Sequence, residues 1–213
     1  MSSVSAHDAP ASRLSQPGEP PWDIALLYPL QGSWNESDYL ELDTNHLVEL
    51  SDGCIEVLPM PTKLHQRIAQ FLFLVLHEFI AARGLGEVFL APLPVRLWPG
   101  KFCEPDIVYL RQGRGEYRGQ PEGADLVVEV LSEGEESHPR DFETKRQEYA
   151  QAGIPEYWIV DPESRRVTVL VLEEGTYREH GVFGPGDTAS SVVLAGLAVS
   201  VADLFASAPQ DHG

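Results

Sequence analysis

The strongest pattern of apolar and polar positions predicts a long amphipathic helix over 63–83. Its apolar residues recur at spacings of three and four, which puts them on one helix face, and Gly84 follows as a typical helix end. Shorter helices are predicted at 34–42 and from about Pro139 to Ala152. The apolar face of the long helix consists of Ile68, Phe71, Leu72, Val75, Leu76, Phe79 and Ile80.

Short apolar runs elsewhere predict the strands of a sheet. Asp52-Gly53 predicts a hairpin turn within HLVELSDGCIEVLPM. A buried strand, EYWIV, follows the helix that ends near Ala152, and this strand, helix, strand order favours a sheet with helices packed on it. The segment 165–196 is predicted to complete that sheet or to cover its edge. The other strands of the predicted central sheet are EVFL, PVRLW, DIVYL and DLVVEVL.

The composition is that of an ordinary globular protein, with 213 residues of which 43% are hydrophobic and 23% charged. We expect one α/β domain over 23–206, between flexible tails at 1–22 and 207–213. The two cysteines, Cys54 and Cys103, form neither a metal cluster nor a disulfide framework, which favours a reducing setting.

The sequence also bears on location. No stretch approaches the roughly 20 apolar residues of a membrane span. The first residues lack the basic end and apolar centre of a signal peptide. A cytoplasmic location and no membrane partner are therefore expected.

The formal net charge of -18 argues against a broad basic surface for nucleic acid. An acidic surface that keeps a protein in solution is the ordinary explanation of such a charge. Any contact with phosphates must therefore be local, or be supplied by a metal ion or a second subunit. The basic residues considered for such contacts are Arg67, Arg96, Lys101, Arg111, Arg114 and Arg118.

One carboxylate lies within an apolar strand. Side chains alternate along a strand, so Asp125, Val127 and Glu129 share one face of DLVVEVL, while the other apolar residues face the opposite way. A carboxylate buried on a covered sheet face is costly without a partner. Glu129 therefore calls for an ion pair, a hydrogen-bonded cluster or a metal ion.

A second carboxylate and a lysine complete a candidate site. Asp106 opens the strand DIVYL, and Lys145 lies at the margin of the helix face that Tyr149 anchors to the sheet. The long lysine stem allows its ammonium group to reach Glu129, and Asp141, one turn earlier, is placed to orient it. Two carboxylates and a lysine are a minimum set for hydrolysing a phosphodiester with a bound divalent ion.

Several of these stretches resemble one known family. EPDIVYL, DLVVEVLS, DFETKRQEYAQAG and GIPEYWIVDP are similar to the Uma-type family of restriction endonucleases, within the PD-(D/E)XK nuclease superfamily. The similarity extends upstream to VELSDGCIEVLPMPTKLHQRIAQFL and covers about Asn35 to Phe205. The ordered combination is specific, whereas each motif alone is weak.

The resemblance implies a restriction-endonuclease-like α/β core: a mixed central β-sheet flanked by helices, with an N-terminal hairpin and a long helix. It also implies Mg²⁺-dependent cleavage of duplex DNA, with Mn²⁺ able to replace Mg²⁺. Asp106 matches the Asp of the PD motif and Glu129 matches its second carboxylate, so both are the implied metal ligands. Leu131 stands where the usual lysine would be, which transfers that catalytic role to Lys145. Glu49 and His65 match a hairpin carboxylate and a helix-start histidine of the family and are second-tier candidates with Asp141.

Other interpretations of these residues stay open at this stage. Glu129 and Asp106 have purely structural alternatives, a hydrogen-bonded carboxylate and a strand-opening polar residue, and Lys145 has that of a solvated helix contact. Glu49 has the alternative of a surface strand residue, and His65 that of an ordinary helix start. Within the acidic loop SEGEESHPRD, Ser-Glu replaces the family's Ser-Pro.

Two other functions are compatible with the sequence of the whole chain. One is a non-catalytic interaction protein that uses its acidic surface on a nuclease fold. Another is hydrolysis of RNA or of a nucleotide phosphoester. A homodimer is left open as the means of cutting both strands.

Overall fold

The computed structural model describes residues 28–44, 46–131 and 138–207, with side chains of the last range described from residue 143 onward. The helices are α1 (Glu36–Leu40), α2 (Lys63–Ala81), α3 (His138–Gln151) and α4 (Val201–Ala206). The strands are β1 (Val48–Ser51), β2 (Cys54–Val57), β3 (Gly86–Leu90), β4 (Val95–Trp98), β5 (Lys101–Cys103), β6 (Ile107–Arg111), β7 (Glu116–Tyr117), β8 (Gln120–Pro121), β9 (Leu126–Val130), β10 (Glu156–Asp161), β11 (Arg166–Glu173), β12 (Thr176–Phe183), β13 (Thr188–Ser190) and β14 (Ala198–Ser200).

The predicted helices are confirmed, and their ends have clear local causes. The side chain of Asn35 accepts hydrogen bonds from two backbone N–H groups of α1, and Thr62 accepts one from the first turn of α2. The predicted stripe of α2 faces the core, with Ile68, Leu72 and Ile80 fully buried. Apart from Ser207, the predicted tails lie outside the described residues.

The main sheet has six strands in the order β12-β11-β10-β9-β6-β3. Strands β9 and β10 are parallel and are joined by α3, as the strand, helix, strand pattern predicts. Strands β11 and β12 complete this sheet at one edge, as predicted for the chain's last third. The central position of β9 explains why its residues from Leu126 to Val130 are all buried.

One strand assignment is wrong. PVRLW was predicted for the central sheet, but β4 belongs to a second, four-stranded sheet in the order β2-β1-β5-β4. Gly100, with φ of 84°, turns the chain back immediately, so β4 pairs with β5, a strand that the sequence pattern did not predict. Strand β5 then pairs with β1, which brings the N-terminal hairpin close to the main sheet.

The two faces of the main sheet have different cores. Helices α2 and α4 cover the face that carries Leu126, Val128 and Val130. Helix α3 and residues of β4 and β5 cover the face that carries Val127. Glu129 lies on this second face because of the strand alternation, and there the helix and the second sheet come together.

Candidate active site

Asp106 and Glu129 come from neighbouring strands. Strands β6 and β9 are antiparallel with Ile107 opposite Val128, so continuing the register by one residue sets Asp106 opposite Glu129. Oδ2 of Asp106 also accepts a hydrogen bond of 2.7 Å from the backbone N–H of Val130. The fold therefore brings both predicted carboxylates to the same end of the sheet.

Helix α3 supplies two donors to Glu129. Nζ of Lys145 donates to Oε1 of Glu129 at 2.8 Å, and the hydroxyl of Tyr149, one turn later, donates to the same oxygen at 2.5 Å. Within the described part of the chain, no hydrogen bond reaches Oε2. One carboxylate oxygen is thus anchored by the protein, and the other is left for a different partner.

Burial and charge set the protonation of this pair. Burial raises the pKa of Glu129 to about 7, an effect that Lys145 opposes and the carboxylates of Asp106 and Glu49 increase. Burial would lower the pKa of Lys145, but the charges of Glu129 and Glu49 raise it well above its ordinary value. Lys145 is therefore charged at neutral pH, whereas Glu129 titrates near neutrality.

The four-stranded sheet adds two buried carboxylates, Glu49 of β1 and Glu104 directly after β5. Glu49, 6% exposed, lies with Oε1 3.3 Å from Nζ of Lys145 and accepts a hydrogen bond of 3.2 Å from the backbone N–H of Glu104. The interpretation of Glu49 as a surface strand residue is therefore wrong. Glu104 accepts a bond of 2.9 Å from the backbone N–H of Val48, and burial raises the pKa of Glu104 to about 7.

His65 contacts the other predicted carboxylate. Its Nε2 lies 2.9 Å from Oδ1 of Asp106, at the start of α2. Burial would lower the pKa of His65, but the bond to Asp106 and the charge of Glu129 raise it. Nδ1 is buried and has no hydrogen-bond partner in the described structure. His65 thus holds Asp106 from the side opposite to the Val130 backbone, beyond the role of an ordinary helix start.

These groups line a cavity of about 320 Å³. Leu58, Pro59 and Pro61 form an apolar wall, and Lys101 and Glu148 form an ion pair of 2.6 Å farther along the lining. The size falls within the range of about 300–1,000 Å³ that is common for ligand sites. The cavity therefore exposes the carboxylates and Lys145 to a ligand.

Three residues of this site were not predicted from the sequence to belong to it. Glu104 lies directly before the Pro-Asp pair, so adjacency to Asp106 was a usable signal for it. Tyr149 was assigned only a packing role, and Glu148 was assigned none. The side chain of Asp141 and the acidic loop at 132–137 lie outside the described residues.

Most of the basic residues considered for phosphate contacts bind acidic groups of the protein instead. Arg96 pairs with Glu36 and Glu122. The buried Lys101 pairs with Glu148, as noted above. Arg114 binds Asp125 through two nitrogens, and Arg111 lies 4.0 Å from the same carboxylate. The local basic footprint expected from the sequence is therefore largely neutralised by intramolecular pairing.

The donor set fits a hard divalent cation. No group of three or more His, Cys, Asp or Glu side chains with metal-binding geometry occurs among the residues described. Mg²⁺ is commonly held by one or two carboxylates and keeps several waters, so Asp106 and Glu129 alone satisfy its protein ligand requirement. Oε2 of Glu129, which no described residue bonds, is consistent with this use.

No helix of the described chain is long and apolar enough to cross a membrane.

Comparison with known proteins finds similarity to one family and to solved structures. The Uma2 family model, described as "Putative restriction endonuclease", matches residues 35–202. The fold matches a crystal structure from Anabaena variabilis described as a "putative nuclease", with a TM-score of 0.68 and 20% sequence identity, over 83% of this chain and 99% of that one. None of the curated proteins compared with the sequence matches it.

Proposed function

The chain belongs to the Uma2 family, described as "Putative restriction endonuclease", and shares the fold of a "putative nuclease", and from this premise we propose that it is a cytoplasmic, Mg²⁺-dependent endonuclease acting on duplex DNA. The family and fold predicted from the motifs are confirmed. The proposal goes beyond family and fold in naming the metal, the substrate and the role of each residue.

One observation carries the proposal. Asp106 and Glu129 meet at one end of the sheet, and Nζ of Lys145 lies 2.8 Å from Glu129 inside an open cavity. The lysine comes from α3, although the usual position two residues after the carboxylate holds Leu131. The two carboxylates and the lysine predicted from distant parts of the sequence line one cavity, and this supports the proposal.

Each residue has a distinct role in the proposed reaction. Asp106 and Oε2 of Glu129 would hold Mg²⁺ or Mn²⁺, which supplies Lewis-acid activation of the phosphodiester and of the attacking water. Lys145, charged at neutral pH, stabilises negative charge that grows on the phosphoryl oxygens. His65 and Tyr149 fix the orientations of the two carboxylates through hydrogen bonds. Glu49 holds Lys145 from its other side.

Nicking of supercoiled plasmid by the purified protein tests the proposal. Cleavage is expected with Mg²⁺ or Mn²⁺, is expected to stop with EDTA, and is expected to be lost in Asp106→Asn and Glu129→Gln. Asp125→Asn is a matched control, because Asp125 lies on the same sheet face at the opposite end of β9. Cleavage by Asp106→Asn at the parent rate would exclude the assigned site.

The acidic interaction protein remains the second candidate, since intramolecular ion pairs neutralise much of the basic surface. The two functions differ in metal binding. Calorimetric titration with Mn²⁺ is expected to show one site that Glu129→Gln removes. Absence of that site, together with absence of cleavage of DNA and RNA, would favour the interaction protein.

A further inference from the structure

A second cavity of about 420 Å³ lies beside the candidate active site. We propose that it receives a nucleobase adjacent to the scissile phosphate, so that the favoured substrate is DNA with an unpaired or extruded nucleotide at the cut. This inference rests on the proposed nuclease function and specifies the substrate class of the same site.

The two cavities have a common wall. Leu47, Pro61, Glu104 and Asp106 line both. A group seated in the second cavity therefore lies against Asp106, one of the two carboxylates of the candidate active site. This arrangement suits two consecutive parts of one polymer, with a phosphate in the first cavity and its attached base in the second.

The charge of the second cavity favours a neutral occupant. Its described lining contains no Lys or Arg and includes the carboxylates of Glu104 and Asp106. A phosphate would be repelled there, whereas the faces of a base are uncharged and apolar. Leu42, Pro92 and Met60, which is 68% exposed, supply apolar surface against which a planar ring can pack.

Two amide side chains supply hydrogen bonds for the edge of a base. Gln66 of α2 and Gln120 of β8 both line the cavity. Oε1 of Gln120 is buried without a hydrogen-bond partner in the described structure. Rotation of this amide about its last torsion exchanges its donor and acceptor ends, so it can present either to a ligand. Glutamine amides are well suited to recognising base edges.

Because several arginines are already paired within the protein, affinity for nucleic acid has to come from other contacts, such as a base pocket. Nonspecific affinity for nucleic acid comes mainly from cations that neutralise phosphates, and Arg96 and Arg114 are already bound to acidic residues of the protein. Contacts to a base and a divalent ion can supply affinity that the surface charge does not. An extruded base is also most accessible where pairing is already weak.

The proposal can be tested by blocking the second cavity with a large side chain at an exposed position. Gln66→Trp places a large side chain in the cavity, and Gln70→Trp is its control, since Gln70 is also exposed, lies one turn later on α2 and lines neither cavity. The cut is first mapped on a duplex by sequencing the product ends. 2-Aminopurine is then placed on either side of the cut, and its emission is measured with Ca²⁺ in place of Mg²⁺ while binding is followed by anisotropy.

The inference expects binding to change the emission several-fold in the parent and in Gln70→Trp, but not in Gln66→Trp. Gln66→Trp is also expected to cleave about tenfold more slowly than Gln70→Trp, as loss of one stacked base predicts. Binding and cleavage with unchanged emission at every position would overturn the base pocket and leave the nuclease proposal standing. Absence of both binding and cleavage would overturn both.

Discussion

Asp125 and Glu129 mark opposite ends of β9 and face the same side of the sheet, yet their surroundings differ. Arg114 donates to Asp125 through Nε and Nη2, both at 2.8 Å, and the backbone N–H of Arg111 adds a third bond of 2.8 Å. At Glu129, Lys145 and Tyr149 both donate to one oxygen. Among the described residues, Asp125 has hydrogen bonds to both oxygens, and Glu129 has them to one.

The pKa values follow from this difference. Burial would raise the pKa of Asp125, but the hydrogen bonds from Arg114 and from the Arg111 backbone lower it. Burial raises the pKa of Glu129 to about 7 because its donors are fewer and other carboxylates lie nearby. Asp125 is thus fixed as a structural anion, whereas Glu129 becomes a full anion at neutral pH only with further positive charge. Burial alone therefore does not distinguish the two carboxylates; the raised pKa of Glu129 and its position beside Asp106 and Lys145 do.

The largest difference between the two ends should be in activity. We expect Glu129→Gln to reduce plasmid nicking by about 10²-fold or more, since it removes a proposed ligand and the charge partner of Lys145. Asp125→Asn should keep most of the activity of its folded fraction. Both rates are measured at a temperature where circular dichroism shows each variant folded. Equal loss in the two variants would remove the functional distinction between the ends of the strand.

Stability should show the opposite order. We expect Asp125→Asn to lower the free energy of unfolding by about 3 kcal/mol, because it breaks a buried bidentate pair. Glu129→Gln should cost less, since the folded state disfavours the ionised form of Glu129. Urea unfolding at pH 7 without metal measures both. A greater loss in Glu129→Gln would show that its pairing with Lys145 is primarily structural.

The pH dependence of stability should also separate the two ends. Glu129 has a folded pKa of about 7 against an ordinary value of 4.5, so the folded state binds more protons between these values. Its contribution to stability therefore falls as pH rises from about 4.5 to 7, and Glu129→Gln should flatten that fall. Asp125 has a lowered pKa, so its contribution is lost only as pH falls below its ordinary value of 3.8. Unfolding curves of metal-free protein across pH 2 to 8 check both directions; an unchanged slope in Glu129→Gln would contradict the raised pKa.

The sequence predicted this comparison only in part. Strand alternation put Asp125 and Glu129 on one face, and helix spacing brought Lys145 toward it, because both periodicities are local. The arginine partners of Asp125 depend on the pairing of β6 with β9, and the approach of Glu49 depends on the pairing of β5 with β1. No local pattern encodes either pairing. Tyr149 was predicted only to pack, because any aromatic residue on an inward helix face packs whether or not it carries a hydroxyl. The bond from its hydroxyl to Glu129 was therefore not predicted. The pattern of apolar and polar residues could not predict which distant strands pair or which single polar atoms form hydrogen bonds.

The smallest expected effect tests the incomplete pairing of Glu129 directly. Tyr149→Phe removes one of the two donors to Oε1 and leaves the ring to pack against Tyr157, so stability should fall by about 1 kcal/mol. The pKa of Glu129 should rise further, because a bond that favours its charged form is lost. Nicking should therefore fall modestly at pH 7 and recover at pH 8.5, with the acidic limb of the pH–rate profile moved upward relative to the parent. A uniform loss at all pH values would mean that Tyr149 supports the fold around Glu129 without influencing its ionisation.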